Sequence, residues 1–176
     1  MLTLIVGGAA SGKSEYAERL IVQTGMLPRY YIATMEPFDD QCRARIARHQ
    51  ASRAYRQFET IEYYTGLDGV RLPQRGAVLL ECMSNLVANE LYSPDGAGYD
   101  TVAAVLRGVD ALLPQCQNLV IVSNEVFTGG SDYAGDTLRY LKILAAVNRG
   151  LAARADNVAE LVCGQAIYYK GKEPGL

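Results

Sequence analysis

The stretch GGAASGKS, residues 7–14, follows directly on the apolar run MLTLIV, residues 1–6. Gly7, Gly12, Lys13 and Ser14 match G-x-x-x-x-G-K-[ST], the spacing of a phosphate-binding loop. The glycines let the backbone turn tightly and bring its N–H groups close to an anion. Beyond the loop, Tyr16, Ala17, Leu20 and Ile21 recur at helical spacing, which predicts a helix over 14–22. A helix starting there aims its free N–H groups and the positive end of its dipole at the same anion. The pattern therefore assigns Gly7, Gly8, Ala9, Ala10, Ser11, Gly12, Lys13 and Ser14 to nucleotide phosphates. Lys13 would reach the β- and γ-phosphates, and Ser14 would ligate Mg²⁺. The plainer alternative is a glycine-rich turn that joins strand to helix and binds nothing.

Working outward, short apolar runs recur: LTLIV (2–6), YYIA (30–33), AVLLEC (77–82), NLVIVSNE (118–125) and VAELVCG (158–164). AIYYK (166–170) reads as a sixth strand, antiparallel at an edge. Continuous rather than alternating apolar runs suit strands covered on both faces. Between them, 39–57, 84–92, 101–113 and 136–154 show helical spacing. Strand–helix alternation predicts an α/β fold of the phosphate-loop NTPase kind, three layers around a mostly parallel sheet. With 176 residues and no low-complexity linker, the whole chain, 1–176, is expected to form one domain.

Composition narrows the partners. The net charge of −2 indicates no general basic surface for nucleic acid. No apolar run reaches 18 residues, and the N-terminal one lacks a cleavage region, so a cytoplasmic protein without a membrane segment is expected. Cys42, Cys82, Cys116 and Cys163 are far apart, and with a single histidine a zinc site is not expected.

In a parallel α/β sheet, ligands sit at the carboxyl ends of the strands. Glu81, closing AVLL, is placed to help hold Mg²⁺, or to accept hydrogen bonds from a nucleobase. Glu125 occupies a similar but weaker position in SNEV. The glycine-bearing loop FTGGSDYAGD, 127–136, suits a cover over the site or a plain connector equally. The segment DDQCRARIARHQASRAYRQ, 39–57, carries the least common chemistry. Arg45, His49, Ser52 and Arg56 follow one another at three or four residues, and Arg53 stands four after His49 and three before Arg56, so the five share a helical face. One reading is a solvated basic helix. The other is an anion-binding face around a nucleophile: neutral imidazole attacks an α-phosphate, and guanidinium groups offset the developing charge. Neighbouring cations lower the histidine pKa and so favour that neutral form.

Together GGAASGKS (7–14), YIAT (31–34), RIARH (45–49), TIE (60–62), LLEC (79–82), SNEV (123–126) and NRGLAARADNVAELVCG (148–164) resemble the bifunctional adenosylcobinamide kinase / adenosylcobinamide-phosphate guanylyltransferase family of cobalamin biosynthesis. The resemblance implies phosphorylation of adenosylcobinamide by ATP or GTP. GMP transfer from GTP through a GMP-histidine at His49 follows. It carries nucleotide contacts onto the phosphate loop, Ala33, Thr34, Met35, Gln50, Ala51, Ser52, Arg53, Glu62 and Glu81, and it implies a homotrimer. The chain departs from the family at Gln41, where a carboxylate is usual, across 127–131, and at Arg149 and Gly150. A kinase in which His49 is merely structural, or a nucleotide-binding regulatory module, are the competing readings.

Overall fold

The computed structural model describes residues 1–37, 55–126 and 133–173. Seven strands form one sheet: β1 (Leu2–Gly7), β2 (Arg29–Ala33), β3 (Phe58–Glu62), β4 (Gly76–Glu81), β5 (Cys116–Val122), β6 (Asn157–Val162) and β7 (Gln165–Lys170). Their order is β3-β2-β4-β5-β1-β6-β7, parallel throughout except for β7, which runs antiparallel to β6. The helices among the described residues are α1 (Lys13–Gln23), α2 (Met83–Tyr92), α3 (Thr101–Leu112) and α4 (Gly135–Arg154). This is the α/β phosphate-loop architecture anticipated from the strand–helix alternation.

The two faces of the sheet explain the unbroken apolar runs. Ile5, Tyr31, Leu79, Val120 and Leu161 face α1, meeting Tyr16, Ala17, Leu20 and Ile21. Leu4, Ile32, Leu80 and Ile121 turn the other way, into the layer of Leu86, Val109, Leu144 and Val147 from α2, α3 and α4. Strand side chains alternate between faces, so a strand covered on both sides must be apolar at every position. Burying each such side chain contributes about 1.5–3 kcal/mol.

Two expectations need correction. The helical spacing drawn over 39–57 runs too far, because Tyr55–Gln57 form a turn and Phe58 begins β3. That strand was absent from the expected set. FETIE sits at the sheet's edge with Glu59, Thr60 and Glu62 exposed, so it lacks the continuous apolar signature of its neighbours. Gly150, a departure from the family, has a packing reason: a Cβ there would lie 2.7 Å from Leu106 Cδ1, where α4 crosses α3.

Candidate nucleotide site

The loop between β1 and α1 is shaped by its neighbours. A Cβ on Gly7 would stand 2.7 Å from the Leu161 carbonyl of β6, so only glycine lets β1 turn there. Gly12 takes a left-handed conformation, φ 91°, as the residue before α1. No side chain caps this helix start. Its first N–H groups therefore stay open to an anion, as the phosphate-loop spacing requires.

Three side chains converge beside that start. Lys13 is 7% exposed, and its ammonium donates to the Gly8 carbonyl, folding the side chain back over the loop. Burial holds its pKa below the ordinary lysine range, against the opposing pull of Cys82 and Glu81. Ser14 Oγ donates to Glu81 Oε1, and Tyr31 OH donates to Glu81 Oε2 at 3.0 Å. Thus Lys13 and Ser14 of the loop and Glu81, 67 residues beyond Ser14, were read separately in the sequence and form one cluster. Serine oxygen and carboxylate are the hard donors that Mg²⁺ takes at phosphate sites. Among the described residues, no cluster of three His, Cys, Asp or Glu side chains offers an alternative metal cage.

Strand register brings a second set to the same edge. Glu62 pairs with Ala33 across β3 and β2, and Ala33 pairs with Glu81 across β2 and β4. Glu62 is exposed and accepts from Tyr64 OH at 2.9 Å. Burial, reinforced by that carboxylate, pushes the Tyr64 phenol up to about 12. Thr34 is fully buried, and its hydroxyl is consumed internally: it accepts from Cys82 N–H and donates to Cys82 O, each at 2.8 Å. Asn89 donates to the Thr34 carbonyl at 2.8 Å. Thr34 thereby ties β2 to β4 and steers Met35, which is partly exposed, past the strand end.

Beyond Glu81 lies a polar relay whose members Cys82, Ser123, Asn124 and Asn148 stand in the quoted motifs but were given no role there. Asn124 donates to Ser84 Oγ at 2.6 Å, and Ser84 Oγ lies 2.7 Å from Cys82 Sγ. Ser123 Oγ donates to Asn148 at 2.6 Å, and Asn148 donates to the Asn124 carbonyl at 3.3 Å. The Glu125 backbone N–H bonds Gly7 O at 3.0 Å, tying the β5 exit to the loop. His49, Gln50, Ala51, Ser52 and Arg53 lie outside the described residues, as do Gln41 and 127–131. Arg56, the described member of the basic row, forms an ion pair with Glu18 on α1. A groove lined by Leu27, Pro28, Gln57, Glu59 and Gln74 opens at the amino ends of β2 and β3, opposite the loop.

Comparison with known proteins places this geometry. Residues 3–168 match the family described as cobinamide kinase / cobinamide phosphate guanyltransferase. The chain is 36% identical over 186 residues to the bifunctional adenosylcobalamin biosynthesis protein CobU of Salmonella typhimurium, covering 97% of this chain and 100% of that one. It is 32% identical to the protein of the same description from Escherichia coli, again over 97% and 100% of the two chains. Among solved structures, the flagellar accessory protein FlaH of Methanocaldococcus jannaschii shares the fold. That match has a TM-score of 0.52 at 14% identity and covers 99% of this chain and 80% of the other. No helix among the described residues is long and apolar enough to cross a membrane.

Proposed function

We propose a two-step transfer chemistry for this chain, which belongs to the cobinamide kinase / cobinamide phosphate guanyltransferase family. The observation that carries the reading is the convergence of Lys13, Ser14 and Glu81 at the uncapped start of α1.

In the first step, the loop N–H groups and Lys13 bind the triphosphate of ATP or GTP and offset charge on the transferring γ-phosphoryl group. The aminopropanol hydroxyl of adenosylcobinamide attacks γ-phosphorus, the bond to the β-bridging oxygen breaks, and the hydroxyl proton is lost. Ser14 and Glu81 would hold Mg²⁺, which when bound draws charge off the phosphate oxygens. In the second step, an imidazole nitrogen of His49 attacks the α-phosphorus of GTP and pyrophosphate leaves. The phosphate of adenosylcobinamide phosphate then attacks the phosphoramidate, giving adenosylcobinamide-GDP and free His49. Ala33, Met35, Glu62 and the 50–53 segment serve the guanine nucleotide, with Glu62 and Ala33 in register beside Glu81. Thr34 serves it through position rather than through its hydroxyl. One catalytic domain, a homotrimer and a cytoplasmic setting complete the reading.

The test is covalent labelling. GTP labelled at the α-phosphate should leave acid-labile label on the protein. His49→Ala should abolish the label while ATP-dependent phosphorylation of adenosylcobinamide persists. Label surviving in that variant refutes His49 as nucleophile, and absence of label in the native chain leaves a kinase alone.

A further inference from the structure

The hairpin joining β6 to β7 grips the phosphate loop from the side away from β5. Val162 pairs with Gln165, leaving Cys163 and Gly164 as a two-residue turn with φ 49° and 80°. Positive φ at both positions is the mirror-image type I′ geometry of tight hairpins. A parallel strand would leave this edge through a long crossover, whereas the antiparallel return places a compact turn there.

That turn and its strands touch the nucleotide-binding segment repeatedly. The Gly164 N–H donates to the Ser11 carbonyl at 3.0 Å. A Cβ on Gly12 would lie 3.4 Å from Gly164 Cα, and one on Gly7 would lie 2.7 Å from Leu161 O. Tyr168 of β7 extends the grip to α1, its hydroxyl 2.9 Å from that of Tyr16. The peptide unit is planar and trans, so its carbonyl and N–H point in opposite directions. Holding the Ser11 carbonyl against Gly164 therefore turns the Gly12 N–H away from the hairpin.

We propose that Gly164 is a positioning residue of the phosphate loop: its N–H sets the Ser11–Gly12 peptide plane and so presents the Gly12 N–H to a bound triphosphate. The proposal rests on the phosphate-loop reading above and adds to it a residue at the far end of the sequence. Gly164 touches no reacting atom. It acts through Ser11 and Gly12.

Cys163 makes a single-atom test practicable. A thioester of residues 1–162 is ligated to synthetic Cys163–Leu176, once with Gly164 and once with glycolic acid in its place. The second product differs only in an ester oxygen where the N–H stood. Dissociation constants are measured for the β,γ-imido analogues of ATP and GTP with Mg²⁺, alongside the melting temperature without nucleotide. The ester should raise both dissociation constants by about fivefold, the scale of one lost hydrogen bond. The KM for nucleotide should rise in parallel while that for adenosylcobinamide stays unchanged. A lower melting temperature with unaltered nucleotide affinity overturns the proposal and leaves Gly164 a folding residue. Should the ester chain not fold, Gly164→Asn and Gly164→Val decide the matter. Asparagine tolerates the left-handed region and keeps affinity, while valine does not tolerate it and loses affinity. Equal affinity in those two variants overturns the proposal. Failure of the all-amide chain to bind either analogue counts against the phosphate-loop reading itself.

Discussion

The Ser14 hydroxyl donates to the Glu81 carboxylate, joining the first turn of α1 to the end of β4. Tyr31 holds the second oxygen of the same carboxylate at 3.0 Å. An oxygen-rich corner is thereby fixed beside Lys13.

Removing charge from that corner should weaken the proposed Mg²⁺ site without unfolding the protein. Glu81→Gln is expected to lower the kinase rate by about 100–1,000-fold, the scale of one lost electrostatic contact in a transition state. Ser14→Ala should cost less. Both should raise the Mg²⁺ concentration needed for half-maximal rate. Initial rates across a Mg²⁺ titration check this, and an unchanged half-saturation point in both variants removes them from the ion site.

Burial of Lys13 costs stability, a cost that its proposed role at the phosphates would account for. Its folded-state pKa is lowered by burial, so the folded chain releases this proton before the unfolded chain does as pH rises. The desolvation cost is fully present below the folded pKa and is relieved as pH climbs toward the ordinary value of 10.5. Lys13→Met should therefore melt about 2–4 °C above the native chain at neutral pH without nucleotide. That advantage should shrink in alkaline buffer, and turnover should fall by about 100–1,000-fold. Calorimetry across pH tests the sign: a variant less stable than the native chain at pH 7 contradicts it.

Glu90 is 2% exposed and accepts from the backbone N–H groups of Gly66 at 2.7 Å and Ala97 at 2.9 Å. Glu90→Gln replaces one acceptor oxygen with a donor facing donors. A loss of about 1.5–3 kcal/mol is expected, read as a lower urea midpoint with nucleotide affinity intact.

At the surface, Arg154 binds both carboxylate oxygens of Asp110, at 2.8 and 3.1 Å, and that hydrogen bonding draws the Asp110 pKa down. A lowered carboxylate contributes stability above its unfolded pKa and loses it as pH falls through the folded one. The Asp110 side chain is 52% exposed, so solvent screening keeps the pair below about 1 kcal/mol. Arg154→Gln should shift the melting temperature by under about 3 °C at pH 7. The difference should fade in acid below the usual carboxylate range, and a larger shift would show the pair to be better shielded than its exposure implies.

Much of this architecture was legible because local pattern and global placement agree. Ile5 and Leu4 face opposite helical layers, so β1 is apolar from Leu2 to Val6 apart from Thr3, and the run announces itself. Glu81 was legible as the first charge after such a run. Its partner Tyr31 was not, since 50 residues separate them and only the strand order brings them together. Thr34 read as a ligand contact, yet its hydroxyl belongs to Cys82, 48 residues on. β3 escaped notice because an edge strand need bury only part of itself, and FETIE carries charges where a central strand would not. The Gly164–Ser11 bond leaves no periodic trace, for a backbone N–H donates whatever side chain it carries.

Because β2 lies between β3 and β4, Glu62 and Glu81 are levelled against the same residue, Ala33. The strand acts as a ruler, holding the backbones of two glutamates about 10 Å apart, two strand spacings. Backbone register sets that measure, while Tyr31 of the same strand aims the Glu81 carboxylate. A single inserted or deleted residue would offset both carboxylates from Ala33 by about 3.3 Å and turn the strand inside out. Variation in this strand must therefore preserve length as strictly as it preserves the buried Tyr30, Tyr31 and Ile32.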